Sequence, residues 1–113
     1  MKNNYDIKFH VAKEYSRYPG GRLEIHGPYS GEDFRKKILT PLFNNYNNVC
    51  IDLSGTMGYG SSFLDESFGE LGKIYGIDAI RKRLTLISDD DPLLVEMVWS
   101  KIEKGSIVFK YYI

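Results

Sequence analysis

Cysteine occurs once in this 113-residue chain, at Cys50, so no internal disulfide can form and a reducing compartment is the simpler setting. An excess of either charge is missing as well: fifteen basic residues balance fifteen acidic ones. A protein that lives on nucleic acid needs a basic surplus to neutralise phosphates, so that class is set aside. Long apolar runs are also lacking. None approaches the ~20 residues needed to span a bilayer, and Lys2, Asp6, Lys8 and Lys13 interrupt any signal-like start. Histidine is confined to His10 and His26. With one cysteine and no paired ligand spacing, no metal and no cofactor is expected. No repeat, low-complexity tract or linker divides the chain. Residues 1–113 are therefore expected to form a single domain, cytoplasmic and away from membranes.

What is present is a run of alternating and helical patterns. Residues 5–12 alternate, with Tyr5, Ile7, Phe9 and Val11 on one face, which predicts a half-buried strand. Pro19, Gly20 and Gly21 mark a turn, and residues 22–26 (RLEIH) read as a second strand. Ser30 is a candidate N-cap for an amphipathic helix over residues 31–39, with Pro41 expected to break or kink it near Thr40 and leave an irregular last turn. The apolar run 49–53 (VCIDL) predicts a central strand. A glycine-rich loop, Gly55–Gly60, then leads into a helix whose Leu64, Phe68, Leu71 and Tyr75 share one face, with Gly76 as its stop. Residues 84–88 (LTLIS) predict another buried strand, and Asp91-Pro92 opens a helix expected to end at Gly105. The β-branched and aromatic segment 106–113 (SIVFKYYI) reads as a last strand. The Arg81-Lys82-Arg83 run reads as a solvated turn. The order β-β-α-β-α-β-α-β implies an α/β fold, with a mixed sheet of about five strands and three main helices packed on it.

No catalytic constellation stands out along the chain. The 55–60 loop carries no lysine for a Walker-type phosphate site, and its glycines are explained by a tight turn. A Ser–His–Asp set could be drawn from Ser62, His26 and Asp52, but no spacing favours it, and Asp52 reads as a strand-end residue. Asp89–Asp91 reads as capping for the helix at Pro92. Tyrosine and phenylalanine total fifteen, and Tyr15, Tyr18, Tyr29 and Tyr59 fall in predicted loops, where tyrosine suits protein contact surfaces. Tyr29, Tyr59 and Phe63 are expected to cluster beside Ser61 and Ser62. Those serines, at a helix N-terminus, read from the residues alone as a helix cap. A phosphate there would add roughly −1.5 to −2 charges, repelled by Asp65 and Glu66 one turn on.

The segment VCIDLSGTMGYGSSFLDESFGEL, residues 49–71, resembles the STAS fold of bacterial anti-sigma factor antagonists and of the cytoplasmic tails of sulfate transporters. GPYSGEDF at residues 27–34, with GYGSSFLDESFG at 58–69, is similar to a bacterial family of STAS-like domains of unknown function. In the antagonists, the second of two serines opening the helix accepts phosphate from a partner kinase. The resemblance thus implies Ser62 as acceptor candidate, with Ser61 beside it. Gly60 stands where the antagonists have Asp, and Phe63 where they have Gly. It also implies a partner protein, a histidine-kinase-like ATPase, docking at Gly58, Tyr59, Gly60, Phe63, Asp65, Glu66 and Tyr29. The expected function is a non-catalytic interaction module. The alternative is a small-ligand or nucleotide binder, or an enzyme, using the 55–60 loop.

Overall fold

Every residue of β2 (Val49–Asp52) is buried, as a near-continuous apolar run demands of a strand covered on both faces. The structure, a computed structural model, describes residues 4–112, with side chains described as far as Val108. The element order is β1 (Ile7–His10), α1 (Val11–Glu14), α2 (31–45), β2, α3 (61–75), α4 (Ile77–Arg83), β3 (Leu84–Ile87) and α5 (Pro92–Tyr112). β1 and β3 flank β2, and both run parallel to it. The register sets His10 beside Asp52 and Asp52 beside Ile87. All three strands therefore end at one edge, and their loops leave from there. In open parallel sheets that edge is where binding surfaces are built.

Among the described residues the sheet has three parallel strands, not the mixed five expected from the sequence. Two of the expected strands are something else. Residues 22–26 hold one turn of 3-10 helix, Glu24–His26, in a loop closed on α2. Its backbone is used up locally: Gly31 and Glu32 donate to the carbonyls of Gly21 and Arg22, and the Glu24 N–H donates to the Glu32 carboxylate at 2.9 Å. Ile25 stands 87% exposed, so the alternation of RLEIH has no sheet face to fill. The segment 106–113 is the end of α5 as far as Tyr112, while Ile113 lies outside the described residues. The predicted first strand also stops early, because the Glu14 carboxylate accepts from the His10 N–H at 2.6 Å and opens a helical turn.

Gly105 explains why α5 continues. The helix lies so close to α3 that a Cβ on Gly105 would run into the Gly69 carbonyl and sit 3.0 Å from the Lys73 nitrogen. A Cβ on Gly72 would strike the Ile102 carbonyl in the same way. Ser106 Oγ then accepts from the Ile77 N–H at 2.9 Å at the start of α4. The glycine that looked like a stop is a close-packing residue, and these contacts override the β preference of the segment beyond it.

Pro41 does not break α2 either. One wide π turn, Arg35–Leu39, precedes it, with the Thr40 N–H bonded five residues back to Arg35. The widened coil moves aside the carbonyl that a proline ring would otherwise strike. A matching π turn, Asp65–Gly69, interrupts α3. The two are joined: Arg35 Nε donates to the Glu66 carbonyl at 3.0 Å, and its guanidinium pairs with the Glu66 carboxylate at 3.2 Å. α4 was not foreseen as a helix; its Arg83 forks onto the carbonyls of Phe43, Tyr46 and Asn47 and lies over the Phe43 ring. One hydrophobic core unites Val49 and Ile51 with Phe34, Phe63, Phe68, Leu71, Ile80, Val98 and Ile102.

Candidate functional site

The loop after β2 and the head of α3 form the candidate site, and short hydrogen bonds fix their course. Asp52 accepts from the Ser54 N–H at 3.0 Å, Ser54 Oγ accepts from the Asp89 N–H at 2.9 Å, and Asp90 accepts from the Gly55 N–H at 2.9 Å. Gly55 and Gly58 take positive φ values, 88° and 120°, which a side chain disfavours. Tyr59 donates its hydroxyl to the Leu53 carbonyl at 3.0 Å, and burial pushes its phenol up. The loop is thus held from the sheet, from β3 and from its own tyrosine.

Gly60 is the N-cap of α3, in extended conformation, and Ser61 is its first helical residue. Neither serine caps the helix. Ser61 is exposed, and its Oγ accepts from Lys101 Nζ at 2.8 Å; Ser62 is half-buried. Lys101 also pairs with Asp65 at 2.8 Å, and Asp65 with Arg22 at 3.3 Å. Glu66 takes Arg35 and, at 3.8 Å, Arg22. The expected repulsion of a phosphate by Asp65 and Glu66 is therefore corrected: both carboxylates are already paired, and a phosphate on Ser61 would land beside an ammonium. Burial pushes the Asp65 carboxyl up, but the Lys101 and Arg22 contacts outweigh it and hold it below its ordinary range.

The aromatic candidates divide. Tyr59 and Phe63 touch, with centroids 5.8 Å apart, but Phe63 is fully buried and belongs to the core. Its expected place on a docking patch is corrected, because its ring is spent against Phe34 at 5.6 Å. Tyr29 is exposed but packs edge-on to Tyr15, which packs on Phe34. Tyr29 makes no ring contact with Tyr59 or Phe63 and is linked to them only through Tyr15 and Phe34, so the predicted three-residue cluster is not formed.

Sequence reasoning missed the residues that reach this site from a distance. Lys101 arrives from forty positions away, and Arg22 from the loop before α2; no local pattern marks either. It also missed His10, whose Nε2 lies 3.7 Å from Asp52 where Lys8 also pairs with that carboxylate at 3.7 Å. His26 is elsewhere, accepting from the Leu23 N–H on the outer loop, so no Ser62–His26–Asp52 set exists. Asp52 is buried, which pushes its carboxyl up, but Ser54, His10 and Lys8 outweigh this and hold it below its ordinary range. Among the described residues no three His, Cys, Asp or Glu side chains are grouped to hold a metal ion. No helix among them is long and apolar enough to cross a membrane.

The depressed carboxyls set an acid limit. A group whose folded pKa lies below its unfolded value, ~3.9 for aspartate, stabilises the fold above that value and loses the contribution as pH falls through the folded pKa. Thermal melts between pH 7 and pH 3 are expected to show stability falling below about pH 4–5. Asp52→Asn is expected to flatten that fall; a variant with an unchanged acid slope would remove Asp52 as a contributor.

A family model described as a STAS-like domain of unknown function (DUF4325) matches residues 30–94, more than half of the chain. The chain belongs to that family. The match runs from the Ser30 N-cap to the first turn of α5, so this STAS-like domain shares with its family the β2 loop, the head of α3 and β3. No curated protein and no solved structure matches the chain.

Proposed function

We propose that this STAS-like domain is a non-catalytic regulatory module that docks a partner protein through residues 58–66, at the head of α3. The observation that carries the reading is the open backbone there. A Cβ at Gly58 or at Gly60 would meet nothing within 4 Å, and the exposed Ser61 hydroxyl sits directly beyond them. A second molecule can approach the main chain closely at that point. Ser61 meets Lys101 as a hydrogen-bond acceptor, and Lys101 is committed to Asp65, so the pair is not arranged as nucleophile and base. Among the described residues, the cleft beside the loop contains two aspartates and no lysine or arginine, which opposes a nucleotide.

Phosphorylation of a serine is the proposed switch. A phosphate on Ser61 would draw Lys101 from Asp65 and add bulk and charge where the partner docks; Ser62 is the acceptor that the antagonist resemblance implies. The test is affinity capture from native extract with chemical cross-linking, using wild type and Ser→Ala and Ser→Asp variants at positions 61 and 62. One partner, of histidine-kinase-like ATPase type, is expected to cross-link at 58–66 with wild type and both Ala variants. At one position, Asp should reduce recovery by about tenfold, a cost of ~1.4 kcal/mol. Equal recovery by the Ala and Asp variants would remove the switch, and cross-links confined to another face would remove the docking site.

A further inference from the structure

An apolar cleft lies not at the serines but beside them, between the loop after β2 and the first turns of α5. It encloses about 430 Å³. Leu53 and Leu94 are buried in its lining, and Met57 and Met97, which also line it, stand 69% and 47% exposed. Asp90 and Asp91 complete it, with Asp89 exposed next in sequence. Solvent-facing methionines are costly to leave bare, and their flexible thioethers fit irregular partners.

The charge of the cleft decides what covers it. Further along the same face of α5, the carboxylates of Asp65, Glu66 and Glu70 are each paired with a lysine or arginine. Among the described residues, Asp89, Asp90 and Asp91 take part in no such pair, and none of those lining the cleft is a lysine or arginine. Asp90 spends one oxygen on the Gly55 N–H, which pins the wall of the cleft and leaves its charge unanswered. Met57 is pinned as well, its N–H donating to the Arg17 carbonyl at 2.8 Å. The walls are preformed, so little ordering opposes binding.

We infer that this cleft seats a segment of a partner protein that presents an aliphatic or aromatic side chain flanked by lysine or arginine. The apolar side chain enters between Met57 and Met97, and the flanking cations lie on Asp90 and Asp91. Charge complementarity of this kind sets specificity and association rate, and it weakens with salt. The inference rests on the docking reading above, and it moves the anchor from the serines to the neighbouring cleft.

The test uses two synthetic amphipathic peptides of identical leucine pattern, one carrying lysine and the other glutamate, titrated into the full chain and followed by amide chemical shifts. The lysine peptide is expected to saturate, shifting residues 53–58 and 90–97, with affinity falling as salt rises. Asp90→Asn with Asp91→Asn keeps the acceptor for Gly55 and should weaken binding about fivefold to tenfold. The native shift pattern of that variant confirms its fold. The glutamate peptide should not bind. Equal binding of both peptides, unchanged affinity in the double variant, or no saturable binding would overturn the proposal. Shifts confined to 58–66 would overturn the cleft while leaving docking at the head of α3 standing. Cross-links from extract away from both regions would remove the docking reading itself.

Discussion

Gly105→Ala is expected to lower the unfolding free energy by about 2 kcal/mol, although alanine is the better helix former by ~1 kcal/mol. The reason is the crossing of α3 and α5. A Cβ at Gly105 has no room, because it would meet the Gly69 carbonyl, 2.9 Å from its carbon and closer still to its oxygen. That oxygen is backbone and cannot rotate away. The two helices must separate, which also loosens Ile102 against Gly72 and the Ser106 contact to α4. For a domain of this size the melting temperature should drop by roughly 10 °C. Gly60→Ala is the control, since Gly60 has φ −67° and nothing within 4 Å of its missing Cβ. It should change stability by less than about 1 kcal/mol, because the gain from a less flexible unfolded chain is offset by alanine's poorer fit at the N-cap of α3. Circular dichroism melts of both variants read the difference. A neutral Gly105→Ala would mean that α5 ends near Gly105, as its local sequence suggests.

Phe63→Ala is expected to cost about 3–5 kcal/mol, a large share of the 5–15 kcal/mol that holds a typical domain together. Phe63 is fully buried and touches Phe34 on one side and Tyr59 on the other. Phe34 in turn carries Phe9, Tyr15 and Phe68. Removing one ring opens a cavity at the joint between α2, α3 and the β2 loop, where rigid neighbours cannot collapse to fill it. An exposed contact residue would behave differently, changing stability by within about ±0.5 kcal/mol. Urea unfolding separates the two cases. A midpoint unchanged from wild type would put the ring on the surface and reopen its role in docking.

The two variants touch the points where reading the chain in order was least informative. Buried strands announce themselves by composition, and the 49–52 and 84–87 segments lie where their apolar runs put them. The Ser30 cap, the turn at Gly76 and the helix start at Pro92 were equally legible, because each is decided by one or two neighbouring residues. The same local logic misassigned residues 22–26 and 106–113. Alternation or β preference specifies a strand only if the segment reaches a sheet edge, whereas residues 22–26 are held in a loop on α2 and residues 106–112 continue the helix packed on α3. The candidate site follows the same division. The glycines and serines of the loop were visible, whereas Lys101 and the Met57–Met97 cleft join it only through the packing of α5, and Arg22 only through the loop before α2.

The α/β class, the buried central strand, the loop geometry that glycine permits and the start of each main helix are written in the local order of residues. Those are short-range matters of backbone freedom, capping and hydrophobic period. The tertiary structure decided the number of strands, the length of α5, the burial of Phe63 and the pairing of Asp65 and Glu66. Each of these depends on which distant surface arrives within a few ångströms, and no local preference outweighs a close-packed neighbour or a charge brought into contact.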